Sequence, residues 1–371
     1  MPAWRGKGPP PNARPRSDDP PRPLATRLLP ACLRHVFAAC LRHDAKGRRR
    51  TRARDRLSRS LTRRGLLGLL AALPGCAAAQ ASLTRPLQLA PLPEGGALRL
   101  LGGLEIDRTA LGFGGLSGLH LAPDLTVTMI SDLARFATFR LQLDAALRPQ
   151  GLELLRRGAL GDGRGRPLAR GHAGDAESLV RLPDGWLVGF ERWHRIRRYR
   201  DLAGPSTFVA APEGLEAAPR NGGLEALAVL ADGRFLALSE ALPAPEHPGA
   251  TRGWIGSPGA WAPLAWRAGP EMAPVDAAGL PDGGALVLER AFSLLGGFRA
   301  RLVRVVGAAL RPGALAEGAE LLTLADPLPA ENWEGVAVQD YRGRRLVALV
   351  SDDNESLFQR SLFLLLELRD Q

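Results

Sequence analysis

The chain has 371 residues and a net charge of +11, long enough for one large domain or two or three small ones. The excess charge is local: residues 1–81 hold 18 Lys+Arg against 4 Asp+Glu, and the remainder holds 31 against 34. A folded part with a balance of −3 is not a nucleic-acid binder, and because Cys32, Cys40 and Cys76 all precede residue 82 it can form no disulfide.

Residues 1–57 are rich in Pro and Arg, with no apolar period that could bury a core, and read as a disordered basic leader. Residues 58–81 read as an export signal. Arg63-Arg64 precede an apolar run, Gly65 to Leu73, too short to remain in a bilayer as a spanning helix, and small residues suited to a signal peptidase follow. Ser60-Leu61-Thr62-Arg63-Arg64-Gly65-Leu66-Leu67 resembles the twin-arginine signal, implying the twin-arginine export machinery, a periplasmic or secreted location and no transmembrane segment in the mature protein. Cleavage near Ala79 or Ala81 fits better than a lipid anchor at Cys76, since Pro74 suits a lipoprotein box poorly. No Met falls between Met1 and Met129, and such signals normally start close to their arginines. The pattern points to a non-Met start near Leu57.

From residue 82 to 371 one motif recurs five times: a short apolar run, an Asp-containing turn and a second short apolar run. The copies are LSGLHLAPDLTVTMISD (116–132), AESLVRLPDGWLVGFER (176–192), LEALAVLADGRFLALSE (224–240), DAAGLPDGGALVLER (276–290) and WEGVAVQDYRGRRLVALVSD (333–352). Asp-Gly at 184–185, 232–233 and 282–283 suits tight hairpins, because Gly accepts positive φ. The leading positions Ser117, Glu177, Glu225, Asp276 and Glu334 are 60, 48, 51 and 58 residues apart, room for a hairpin plus two more strands. That period predicts an all-β fold, a β-propeller. Five hairpins are legible; six blades are favoured and five are possible, the sixth coming from 133–172 or 241–275. GALRLLGGLEI (96–106) and SLFLLLEL (361–368) are the terminal strands expected to share a blade and close the ring.

The recurring acids fall at two places that a hairpin brings to one rim. Glu177, Glu225, Asp276 and Glu334 start the first strands, with Ser117 in the equivalent slot, and Asp132, Glu191, Glu240, Glu289 and Asp352 end the second. So many like charges at a channel mouth need neutralising. Arg135, Arg192 and Arg290 follow second-position acids and are placed to pair with them, and a hard divalent cation is the other means. Beyond residue 81 only His120, His172, His194 and His247 remain and zinc spacing is absent, so Ca²⁺ suits the donors better than zinc. The bland reading is that rim acids cap backbone amides of the next blade.

The blocks GGLSGLHLAPD, GDAESLVRLPDGWLVGFER, NGGLEALAVLADGRFLALSE, ENWEGVAV and VSDDNESLFQRSLFLLLEL together resemble the bacterial phytase-like propeller family, described as having esterase-like activity of phytase, across roughly residues 95–369. The resemblance implies an exported β-propeller that binds Ca²⁺ at a carboxylate-lined mouth and hydrolyses phosphate esters. By position it points to Ser117, Asp175, Glu177, Asn221, Glu225, Asn332, Glu334, Asp352 and Asn354. The expected metal ligands are Glu177, Glu225, Asp276, Glu334, Asn221, Asn332 and Asp352. Glu177, Glu225, Glu334, Arg192 and Arg290 are the expected catalytic groups. No lysine follows Lys46, so only arginines could grip a phosphate. Ser117 is a poor nucleophile candidate, since GLSGL lacks the final Gly of the Gly-x-Ser-x-Gly elbow and a strand follows. The expectation is a monomeric, cation-assisted hydrolase of small phosphate or other esters. The alternative is a non-enzymatic periplasmic binding or scaffold propeller with a structural cation.

Overall fold

The computed structural model describes residues 82–369. The basic leader, the twin-arginine-like segment, Cys76, the cleavage sites and the start near Leu57 lie outside the described residues. The described chain opens with β1 (Thr84–Pro86), β2 (Leu98–Ile106) and one helical turn, α1 (Arg108–Leu111), capped by Asp107, which accepts from the amides of Thr109 and Ala110. The first blade is β3 (Leu116–Leu121), β4 (Thr126–Ser131), β5 (Arg135–Leu143) and β6 (Pro149–Ala159). The second is β7 (Ala176–Leu182), β8 (Gly185–Phe190), β9 (Arg195–Tyr199) and β10 (Ser206–Val209). The third is β11 (Leu224–Val229), β12 (Phe235–Pro243), β13 (Thr251–Ser257) and β14 (Ala260–Arg267). The fourth is β15 (Ala273–Gly279), β16 (Ala285–Ser293), β17 (Gly297–Val305) and, after the stray strand β18 (Leu315–Glu317), β19 (Ala319–Leu324). The fifth contains β20 (Asn332–Tyr341), β21 (Arg344–Asp352) and β22 (Ser361–Leu368).

The core of each blade is an antiparallel sheet, and the first strands β3, β7, β11, β15 and β20 pack on one another in a ring around the axis. The propeller is as expected, but it has five blades rather than the favoured six. The weakly patterned stretches supply outer strands: 135–159 gives β5 and β6, and 251–267 gives β13 and β14. Ring closure is also as expected. β22 lies between β21 and β2, and β1 adds at the edge, so the fifth blade joins both ends of the described chain. One connection is unusual. β18 leaves the fourth blade and pairs parallel with β14, giving the third blade a fifth strand before β19 returns.

The core is five apolar layers, one in each gap between blades. A blade buried on both faces alternates its side chains between two gaps. Leu346, Ala348 and Val350 of β21 face the first blade, whereas Val347 and Leu349 face the fourth. This explains why the blade-forming runs are apolar throughout instead of alternating with polar residues. No helix among the described residues is long and apolar enough to cross a membrane.

Candidate functional site

Every first strand slips register at the same place: between Leu116 and Leu119, Ala176 and Ser178, Leu224 and Ala226, Pro274 and Asp276, and Trp333 and Gly335. A bulge adds a residue to one strand and re-aims its side chain. In three blades the added residue is Glu177, Glu225 or Glu334. On or just past the second strands, one residue beyond the partner of the residue that precedes each bulge, Asp132, Glu191, Glu240, Arg290 and Asp352 share one rim position. Gly115 sits against this rim at φ +69°, with the Asp132 carboxylate where a β-carbon would stand, so glycine is required there.

The fourth blade departs from the pattern. Val275 holds its bulge and belongs to an apolar layer, while Arg290, not Glu289, holds the rim position. Asp276 and Glu289, one residue out of step, are committed elsewhere. Asp276 accepts from its neighbour's amide at Ala277 and, across the blade boundary, from the amide of Val336, each at 2.8 Å. Glu289 is fully buried and accepts from Trp266 Nε1 (3.0 Å), the Gly269 amide (3.0 Å) and Arg301 Nε (2.7 Å).

Arginines do pair with rim carboxylates, but not with the acids they follow. Arg290 donates to Asn332 Oδ1 at 2.5 Å, to Glu334 and, at 3.1 Å, to Glu240, bridging the third and fifth blades. Surrounding acids hold its guanidinium charged even more firmly than usual, against the opposing effect of its burial. Arg192 pairs with Asp175 at 2.6 Å and is 38% exposed, leaving donors toward solvent. Arg135 is exposed and makes no ion pair among the described residues.

Opposite the Arg290 side, carboxylates crowd together. Asp175, Glu177 and Glu191 each offer an oxygen within 4.8 Å of the others, and so do Glu191, Glu225 and Glu240. Glu191 is common to both groups. It also caps the third blade, accepting from the amides of Gly222 and Gly223 on one oxygen and keeping the other. Burial, reinforced by Asp175, Glu334 and other acids, pushes Glu177 well above the carboxylate range. Burial and then Glu177, Glu191 and Glu240 do the same to Glu225. Burial raises Asp175 to about 6, with Arg192 opposing, and Asp132 to about 7, with Asp352 and Asp175 adding to the shift. Burial likewise lifts Glu334 to about 7 against the pull of Arg290, and Asp352 to about 7 with help from Glu334. A buried all-oxygen cluster so short of positive charge can bind a metal ion.

Glu177, Glu225 and Glu334 therefore face one mouth, as do Asp132, Glu191, Glu240 and Asp352. Asn332 is buried there and held by Arg290, and Asp352 accepts from the Asn354 amide at 2.7 Å. Asn221 is exposed, and Asp276 and Glu289 are turned to structural partners. Ser117 is buried and its hydroxyl donates, among the described residues, to the Gly115 carbonyl at 3.4 Å. His194 contacts the Pro219 carbonyl at 2.9 Å. His120 stacks edge-on against Trp186 toward the far end of the channel, and burial lowers it to about 4. The central place of Glu191 is not visible from spacing alone, which assigns it a capping role.

The profile of the phytase-like family, described as esterase-like activity of phytase, matches residues 111–355. No curated protein matches the sequence. Among solved structures, the PQQ-bound aldose sugar dehydrogenase of Streptomyces coelicolor is similar at 16% identity and a TM-score of 0.40, covering 75% of this chain and 99% of its own. The α-L-arabinofuranosidase PaAbf62A of Podospora anserina, in complex with cellotriose, is similar at 12% identity and a TM-score of 0.42, covering 70% and 93%. A calcium structure of the Trichoderma reesei carbohydrate-active enzyme of family AA12 is similar at 12% identity and a TM-score of 0.39, covering 77% and 99%.

Proposed function

The chain belongs to the phytase-like family, and from that premise we propose that it is an exported, monomeric hydrolase of phosphate or other esters, assisted by Ca²⁺ at the mouth of the propeller. The observation that carries this reading is the asymmetry of the mouth. Arg290 serves Glu240 and Glu334 on one side, whereas on the other, among the described residues, Asp175 has an ion pair, with Arg192, and Glu177, Glu191 and Glu225 have none. Glu191 would hold the cation together with Glu225 and Glu240, or with Asp175 and Glu177 on its other side. Within each of these two groups the carboxylate oxygens lie close enough together, within 4.8 Å, to share one hard cation. Such a cation supplies Lewis acidity, polarising an ester oxygen and acidifying bound water.

The chain's own groups have definable roles beside it. Arg192, with donors free beyond its bond to Asp175, is placed to steady an anionic ester oxygen. Glu334, at about 7, can take or give a proton near neutral pH. Arg290 holds Glu334 and Glu240 in place and adds a fixed positive charge under the substrate's approach. A second reading, a non-enzymatic propeller with a structural ion, is favoured by Glu191, whose bonds to Gly222 and Gly223 already tie two blades together.

One assay separates the two. Hydrolysis of p-nitrophenyl phosphate and of a p-nitrophenyl carboxylic ester is measured with Ca²⁺, with chelator, and for Glu225→Gln. The expected result is activity that chelation removes and that Glu225→Gln lowers on the order of 100-fold. Activity indifferent to both changes defeats the cation-assisted mechanism. Absence of activity, with Ca²⁺ still raising the melting temperature, selects the binding module.

A further inference from the structure

Strand register sets two rows of side chains against each other between the first and second blades, at the end of the channel opposite the mouth. His120, Thr128, Thr138 and Arg156 are successive cross-strand partners on β3, β4, β5 and β6. Arg181, Trp186 and Tyr199 are successive partners on β7, β8 and β9. Cross-strand partners share a face, so each row acts as one wall. The walls bound a cleft of about 440 Å³, a size that suits a small molecule. His120 stacks edge-on against Trp186 with ring centroids 5.3 Å apart. The Arg181 guanidinium lies 4.7 Å from the centre of the same indole and donates to the Gly185 carbonyl at 3.3 Å. Arg156 closes the outer end by pairing with Asp201 across the gap at 2.9 Å. Burial, helped by Arg181, lowers His120 to about 4, so at neutral pH its ring offers one donor and one acceptor.

We propose that this cleft binds a small amphipathic oxyanion, with its carboxylate or phosphate head at Arg181 and Arg200 and its alkyl chain over the far end of the channel. Charge selects the head. Five charged residues line the cleft: Asp124, Arg156, Arg181, Arg200 and Asp201. Asp201 is taken by Arg156, and Asp124 lies 3.9 Å from Arg140. Arg200 acts on Asp184, which Arg198 already holds at 2.6 Å. Arg181 and Arg200 are thus left without an ion pair among the described residues. Two such guanidiniums, beside a neutral imidazole and the hydroxyls of Thr126, Thr128 and Thr138, match the oxygens of a carboxylate or phosphate. Shape selects the chain. His120 and Arg181 also line a well of about 140 Å³ at the channel's end, whose other walls, Leu119, Leu227 and Val336 among them, are apolar. Val229, Gly279 and Val338 border both this well and a further cleft of about 320 Å³, where Gln339 and Asp340 are the polar lining and Asp340 is held by Arg345 at 2.8 Å. An alkyl chain leaving the arginines therefore meets apolar wall. None of the mouth carboxylates lines these clefts, so binding here does not depend on the mouth being catalytic.

The test is calorimetric titration of the full chain in chelator. The probes are inorganic phosphate, butyl phosphate, octyl phosphate, octanoate and, as the uncharged chain, octyl glucoside. Octyl phosphate or octanoate is expected to bind, and the tighter of the two names the head. Affinity should fall from octyl to butyl to inorganic phosphate, by roughly threefold for each methylene no longer covered. Arg181→Met and Arg200→Met should each weaken the octyl ligand about tenfold. Both side chains are exposed and outside any ion pair, so an unchanged melting temperature confirms folding. Arg192→Met, at the mouth, should leave the affinity as it was. The proposal is overturned if neither octyl anion binds, or if inorganic phosphate or octyl glucoside binds as tightly as they do. It is also overturned if Arg192→Met removes binding that both far-end variants keep, a result that puts the anion at the mouth and leaves the hydrolase reading standing.

Discussion

Arg290 shows how much one residue can settle in a crowded rim. Its side chain is 19% exposed and satisfies Glu240, Glu334 and Asn332 at once, joining three blades through one guanidinium. Arg290→Met keeps most of the volume and removes the charge, leaving two partly buried carboxylates facing each other. Stranding a buried charge typically costs about 3–5 kcal/mol, and a loss toward the lower end of that range is expected at about pH 8. The loss has a sign in pH. Glu334, already raised to about 7, goes higher without its partner and becomes neutral on acidification. The variant should therefore differ less from wild type at about pH 5 than at about pH 8 in urea denaturation; equal losses at both would mean Arg290 acts by packing alone.

Among the elements, the first strands matter most, because their shared bulge carries glutamates to the axis. Hairpins were legible in the sequence because Asp-Gly turns and apolar runs are local signals. Outer strands were less so: β5, β6, β13 and β14 mix exposed and buried positions, and the three-residue β18 has no period to read. The acids of the fourth blade were misplaced for a related reason. An acid beside a bulge looks in sequence like an acid in it, and only pairing tells Val275 from Asp276. One clue was present. Asp276 and Glu289 are 13 residues apart, against 14 to 18 in the other blades, whereas Val275 and Arg290 are 15 apart. What Asp276 does instead is testable. It links β15 to β20 by accepting the Val336 amide, so Asp276→Ala leaves two buried amides without acceptors. At roughly 1–3 kcal/mol for each of the two lost partners, a destabilisation of about 2–6 kcal/mol is expected from denaturant titration, with the mouth chemistry unchanged. A near-neutral Asp276→Ala would show that water replaces the blade-to-blade contact.

At the scale of the whole molecule, the ring turns separate repeats into one coupled titrating system. Asp132, Glu334 and Asp352 are raised to about 7, Asp175 to about 6, and Glu177 and Glu225 well above their usual range, in each case first by burial. The fold thus keeps protons that the unfolded chain has already released. Stability from these groups is complete below about pH 4, where the unfolded carboxylates are protonated too, and is lost as pH rises through about 7. A divalent cation reverses this, since it needs the same groups ionised and displaces their protons. Without divalent cations, the melting temperature should fall between about pH 5 and about pH 8; millimolar Ca²⁺ should restore most of the loss at the higher pH and do little at the lower. Glu225→Gln should flatten both trends, because it removes one of the crowded charges and one of the ligands. A melting temperature at about pH 8 that is the same in Ca²⁺ and in chelator would mean that the carboxylates stay protonated among themselves, and that the mouth is held by shared protons rather than by an ion.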